Sequence, residues 1–324
     1  MFKSKKVLSF IMALGLLLLA GCGNSGEVKT SGDGESGSDS GKYKIGVTVY
    51  YMSEFITLAV GGLEDAAEKH NVDINVLEAK NDVATQISQM ENLIAQGVDA
   101  IIVAAVDSDS LDGTIKKARD AGIEVVGLNM IINSDHLSSY IGPNDVQAGE
   151  LETQYVVDQL GGKGNVVIFE GPIGISAQIQ RKEGIYNVID ANDGMNVLEI
   201  QTANWSREEA LTIMENWIQS HGDKIDAVVA QNDEMALGAT QALENAGMRD
   251  DVLVVGVDAI EDAVKAIEAG RMDASVFQDA ALEGGQAVDL AVALLKGEEV
   301  EKYNAIEMEL VTKENAAEYL KIYQ

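Results

Sequence analysis

The chain has 324 residues, 46% of them apolar, enough for two domains with cores of their own and too apolar for a disordered chain. Its 53 acidic against 23 basic residues leave a net charge of −30, which opposes any general affinity for nucleic acid or anionic surfaces. A single cysteine excludes an intramolecular disulfide, and three scattered histidines (His70, His136, His221) show no metal-ligand spacing.

At the amino terminus, Lys3, Lys5 and Lys6 precede an apolar run over 7–19, shorter than a comfortable membrane span. The run ends in Leu19-Ala20-Gly21-Cys22, which resembles the bacterial lipobox. That resemblance implies a signal peptide over 1–21, cleavage before Cys22 and a lipid on its sulfur. Residues 23–42 are rich in Gly and Ser and nearly devoid of apolar side chains, so they read as a flexible tether. The folded body is therefore expected at the extracytoplasmic face of a bacterial cell membrane.

From Tyr43 the pattern alternates strand and helix. Strands are expected over 43–49, 74–77, 100–105, 125–128 and 139–141, with helices over 54–70, 83–96 and 111–121. Strand 139–141 leads into Gly142-Pro143-Asn144-Asp145. A second run follows: helix 146–160, strand 166–169, helix 176–189, strand 197–200 and helix 207–220. Strand 227–230, a polar turn at Gln231-Asn232-Asp233 and a helix from Glu234 come next, with Asp233 as the expected cap. Strand 252–257, helix 263–269, strand 274–277, helix 280–295, a late strand over 306–310 and a helical tail over 313–319 complete the chain. Near-continuous apolar strands alternating with helices predict parallel sheets covered on both faces, in two α/β domains with a cleft between them. Pro143 and Pro172 are expected in loops after strands.

Polar side chains at the carboxyl ends of buried strands are where open α/β sheets bind small ligands. Asn232, Asp258 and Gln278 each follow such a strand, and together they suggest a ring of hydrogen-bonding groups around a polar, uncharged ligand. Asn232 can donate and accept, and Asp258 can accept two hydroxyls at once.

QNDEMALGA at 231–239, QMENLIAQGVDAIIV at 89–103, VVGVD at 254–258 and RKEGI at 181–185 together resemble periplasmic sugar-binding proteins of the ribose-binding type. These are the capture subunits of ATP-driven importers. The resemblance covers the chain from about Tyr43 to its end. It implies two Rossmann-like domains joined by three crossings, near Asn144-Asp145, Gln278-Asp279 and 308–310. The lobes would be 43–144 with 279–308, and 145–278 with 309–324. It also implies that Arg181 donates to ligand hydroxyls and that Asn232, Asp258 and Gln278 bind the ligand. Trp205 and Phe55 would stack on it, Tyr50 would supply a further aromatic contact, and Asn129 would bond hydroxyls. Trp217, inside a helix, is expected in the core.

Four positions depart from the ribose pattern. Glu54 stands where a second stacking aromatic is usual, and Ile185 replaces an aromatic. Asn129 and Met130 replace an aspartate–arginine pair, so the residues do not single out ribose among pentoses, hexoses and cyclitols. GPIGISAQ at 171–178 resembles relatives that take cyclitols. The expected function is capture of a monosaccharide or related polyol by a monomeric, cofactor-free binding protein that delivers it to a membrane permease. Alternatives are a sensory receptor for chemotaxis or a kinase and, more remotely, a repressor effector domain. A repressor would need a basic helix-turn-helix where this chain has a signal and tether. An enzyme is not expected: no Gly-x-Ser-x-Gly, Cys–His pair or phosphate loop stands at a strand end.

Overall fold

A computed structural model describes residues 42–323. The apolar run, Cys22 and the tether up to position 41 lie outside the described residues. The first half contains β1 (Lys44–Val49), α1 (Glu54–His70), β2 (Asp73–Glu78), α2 (Val83–Gln96) and β3 (Ala100–Val103). It continues through α3 (Asp112–Asp120), β4 (Glu124–Leu128) and β5 (Ser139–Pro143). Next come α4 (Asp145–Leu160), β6 (Lys163–Glu170), α5 (Ser176–Asp190), β7 (Gly194–Thr202), α6 (Arg207–His221), β8 (Ala227–Ala230) and α7 (Asp233–Ala246). The chain ends through β9 (Leu253–Asp258), α8 (Glu261–Glu268), β10 (Ala274–Phe277), α9 (Ala280–Leu295), β11 (Tyr303–Ile306), β12 (Glu309–Thr312) and α10 (Ala316–Tyr319).

The strands form two six-stranded sheets, ordered β11-β5-β4-β3-β1-β2 and β12-β10-β9-β8-β6-β7. Every pairing is parallel except that of β10 with β12. Central strands such as β3 (AIIV) and β8 (AVVA) are buried along their whole length, which parallel sheets covered on both faces require. Strand order reverses between β1 and β3 in one sheet and between β6 and β8 in the other. Such reversals open a crevice at the carboxyl ends of the strands.

Glycines let paired helices touch backbone to backbone. A Cβ on Gly149 of α4 would lie 2.1 Å from the carbonyl oxygen of Arg181 on α5, and one on Gly184 of α5 would lie 2.0 Å from that of Val146. This close crossing holds the start of α5 against α4 and so fixes Arg181 in space. In the first domain, Gly62 of α1 and Gly284 of α9 make the same kind of approach.

Four details differ from the sequence expectation. The stretch 306–310 is not one strand: β11 pairs with β5 in the first sheet and β12 with β10 in the second, so the chain passes between domains at Glu307-Met308. Pro143 is the last residue of β5, opposite Ile306, a strand end where its missing N–H costs nothing. Strands β6 and β7 run to eight and nine residues, longer than their apolar cores. Finally, α7 starts at Asp233 and is capped by Asn232, whose side chain accepts from the Met235 N–H. Asp233 is instead buried: it accepts from Ser275 Oγ (2.6 Å) and from the Ile260 N–H (2.9 Å), tying α7 to β10 and the loop after β9.

Candidate functional site

A cavity of about 450 Å³ opens between the carboxyl ends of the two sheets. Tyr50, Phe55, Asn129, Arg181, Trp205, Asn232, Asp258 and Gln278 all line it. Tyr50 and Phe55 come from the turn after β1 and the start of α1. Asn129 follows β4, Asn232 follows β8, Asp258 ends β9 and Gln278 follows β10. Arg181 reaches in from α5 and Trp205 from the turn after β7.

Five residues around the cavity have positive φ: Asn81 (φ 56°), Asn129 (φ 64°), Asn204 (φ 53°), Trp205 (φ 59°) and Asp258 (φ 114°). Asparagine tolerates this region, whereas Trp and Asp do so at a cost met by their surroundings. Asn129 is further fixed because its carbonyl accepts from the Tyr140 hydroxyl at 2.7 Å. A Cβ at Gly142 would collide with that same hydroxyl, so only glycine fits there.

Arg181 is 4% exposed. Its Nε donates to Asp145 Oδ1 (2.8 Å), Nη1 to the Gln231 carbonyl (2.5 Å) and Nη2 to Gln278 Oε1 (3.0 Å). Three of the guanidinium's five N–H groups are thus taken. Its Nη1 lies 3.7 Å from Asp258 Oδ1, and its Cζ lies 5.7 Å from the centre of the Trp205 ring. Burial pulls its pKa down, but Asp145 and Asp258 outweigh burial and raise it, so the charge is permanent.

Asp258 is buried and, among the described residues, receives no side-chain hydrogen bond. Burial pushes its carboxyl up to about 7; Arg181 opposes this, while Asp145, Glu234 and Glu54 add to it. Asn232 uses its oxygen as a helix cap, which leaves its NH₂ for the cavity. Gln278 has both ends engaged: its oxygen by Arg181 and its NH₂ by Glu283 Oε1 at 2.6 Å. Glu283 also accepts from Asn129 Nδ2 at 3.2 Å.

At the mouth, Arg207 pairs with Glu234 (2.8 Å) and Asp262 (3.2 Å). Glu54 lines the cavity, with its carboxyl raised by burial and by Asp262 and Glu234. The domains touch beside the cavity. Met130 packs with Ile175 and Ala177, flanked by Tyr50 and Trp205, and the Ile131 N–H donates to Ser176 Oγ at 2.8 Å. Met130 therefore serves as an apolar contact between domains. Trp217 lies in the core, 4.4 Å from Phe169 centre to centre.

Sequence reasoning missed Asp145, Gln231 and Glu283, which hold Arg181, Gln278 and Asn129 in place. The available signal was a charge on an apolar helical stripe: Asp145 shares its stripe with Ala148, Gly149 and Val156, and Glu283 shares one with Ala280, Gly284 and Ala287.

Residues 45–299 match the family described as periplasmic binding protein domain. The chain is 42% identical to the xylitol-binding protein of Mycolicibacterium smegmatis, over 93% of this chain and 86% of that one. It is 33% identical to the ribose import binding protein of Bacillus subtilis, over 95% and 99%. A solved ABC transporter solute-binding protein from Bacillus halodurans with bound myo-inositol superposes with a TM-score of 0.84 at 40% identity, covering 87% of this chain and 99% of that one.

Proposed function

The chain belongs to the periplasmic binding protein family, and on that premise we propose that it is the extracytoplasmic solute-binding component of an ABC-type importer, taking a neutral polyol. Sugar alcohols and cyclitols rank ahead of ribose as its cargo. One observation carries this: the buried Asp258 carboxylate faces the cavity without a side-chain hydrogen bond among the described residues, beside a guanidinium with donors to spare. Such a pair asks for a guest rich in hydroxyls, which both donate and accept.

Charge argues for a neutral guest. Arg181 is balanced by Asp145 and Asp258, and Arg207 by Glu234 and Asp262. Among the described residues lining the cavity, a phosphorylated or acidic sugar would meet no free cation. The identity ranking supports the choice among neutral guests, because the xylitol and myo-inositol relatives are nearer in sequence than the ribose one. Asn129 and Met130, in place of a charged pair, agree with it.

In this reading Asn129, Phe55 and Tyr50 from one lobe and Arg181, Trp205, Asn232 and Asp258 from the other bridge the ligand. Gln278 acts by orienting Arg181. The lobes are 43–144 with 279–308 and 145–278 with 309–324, hinged where the chain passes between the sheets. Ligand bridging favours the closed form that a permease recognises. Lipid on Cys22 and the tether over 23–42 keep the body at the outer membrane face. The protein works as a monomer without enzymatic turnover.

Calorimetric titration with xylitol, myo-inositol, D-ribose and myo-inositol 1-phosphate tests the reading. Xylitol or myo-inositol is expected to bind at about −8 kcal/mol, a micromolar Kd, or tighter. D-Ribose should bind more weakly and the phosphate not measurably. Silence toward every neutral polyol, or preference for the phosphate, overturns it.

A further inference from the structure

Glu283 is a fully buried carboxyl near the start of α9, and it accepts from two amides at once: Gln278 Nε2 and Asn129 Nδ2. An ionised carboxylate can only accept. Both amides must therefore turn their NH₂ groups toward it, and each amide oxygen faces elsewhere. The Gln278 oxygen takes the Arg181 Nη2–H at 3.0 Å. The Asn129 oxygen is left for the cavity that Asn129 lines. Asn129 has little freedom to escape this arrangement, because its left-handed backbone is pinned by the Tyr140 hydroxyl.

The geometry points to Glu283, in its ionised form, as a positioning residue that fixes the hydrogen-bonding sense of Asn129 and Gln278, so that Asn129 presents only an acceptor to the guest. The ligand arm of this inference rests on the polyol reading above; the positioning itself does not. The selected feature is a guest hydroxyl that donates at the Asn129 oxygen. A substituent that only accepts, such as fluorine, leaves two acceptors facing each other, which is costly.

The groups facing Glu283 are Asp145 of α4, Arg181 of α5, Tyr50 after β1 and Tyr140 of β5. Burial, with a further contribution from Asp145, pushes the Glu283 carboxyl up to about 8, against the two amide bonds and Arg181. Protonation turns one oxygen into a donor, which one amide must then reverse to meet.

The first test needs no ligand. The side-chain amide ¹⁵N and ¹H resonances of Asn129 and Gln278 are followed from pH 6 to pH 10 in the wild type, Glu283→Gln and Glu283→Leu. Both pairs are expected to shift with one common midpoint in the wild type, and this transition should vanish in the variants. An Asn129 resonance indifferent to pH and to both substitutions overturns the inference, and the wild-type titration decides even where a variant folds poorly. The second test measures myo-inositol and its single-position deoxyfluoro analogues by calorimetry at pH 9. The wild type is expected to reject at least one analogue by about tenfold or more relative to myo-inositol, and Glu283→Gln to bring that ratio below about threefold. The same ratio in both proteins overturns the inference. Failure of myo-inositol to bind the wild type would count against the cyclitol reading alone, because the resonances of the free protein still decide the role of Glu283.

Discussion

Arg181 donates through Nε to Asp145 Oδ1 at 2.8 Å, with the two side chains only 5% and 1% exposed. The pair joins the first residue of α4 to α5 at the back of the cavity. Burial raises the Asp145 pKa, and Arg181 works against that rise. Removing one partner of such a pair leaves an uncompensated buried charge, which typically costs about 3–5 kcal/mol. Asp145→Ala should lower the ligand-free urea midpoint accordingly and weaken polyol binding with it. An unchanged midpoint would show that Arg181 finds compensation elsewhere.

Asp258 ties affinity to pH. Its carboxyl is pushed up to about 7 by burial, so near neutrality the empty site holds a proton for part of the time. Only the ionised form accepts two hydroxyls, so binding requires that proton to leave. Affinity should be full above about pH 8 and fall below pH 7, approaching tenfold per pH unit. Calorimetry at pH 6.5 in buffers of different ionisation heat should register proton release on binding. Asp258→Asn should abolish the release and cost about 1.5–3 kcal/mol of affinity. A wild-type affinity flat from pH 6 to pH 8.5 contradicts this.

The eight side chains expected at the site all reach one cavity because most stand where an apolar strand stops, a boundary visible in sequence. Asn232 after AVVA and Asp258 at the end of LVVGVD are the clearest cases. Asp145 and Glu283 were legible only as charges on an apolar helical stripe, not as parts of the site. A carboxylate in a helix ordinarily marks the solvent face, and Arg181 lies 36 positions from Asp145 and Asn129 lies 154 from Glu283. The late strand misled differently. Ile306, Met308 and Leu310 alternate as one strand would, yet Met308 is buried with Val257 and Val276 where the chain leaves one sheet for the other. Periodicity records which side chains are buried, while only pairing partners record in which sheet.

Gly171 packs against the Trp205 ring, and its N–H donates to Gln231 Oε1 at 3.0 Å. A Cβ at Gly171 would fall 2.1 Å from the Trp205 indole, so Gly171→Ala must displace the ring. That ring also lies over the Arg181 guanidinium. Loss of its flat apolar surface should weaken polyol binding by about tenfold, equivalent to about 1.4 kcal/mol. Trp217 stays in the core, so a change in tryptophan emission reports Trp205. An emission change with unaltered affinity would remove Trp205 from the ligand contacts.

Glu152 of α4 is fully buried, and neither of its oxygens has a hydrogen-bond partner among the described residues. Burial raises its pKa well above the ordinary carboxyl value; Arg181 opposes this, while Asp233 and Asp258 add to it. The folded chain therefore keeps this proton to a higher pH than the unfolded chain, which releases it near 4.5. Stability from this group is fully present below that value and is lost as pH rises toward the raised folded pKa. A methionine of similar length needs neither charge nor partner. Glu152→Met should gain about 1–3 kcal/mol over the wild type at pH 8, with the gain shrinking toward pH 5. Melting temperatures of ligand-free protein from pH 5 to pH 9 read the difference directly. Two parallel curves would mean that Glu152 is already ionised in the folded chain across that range, as it is in the unfolded one.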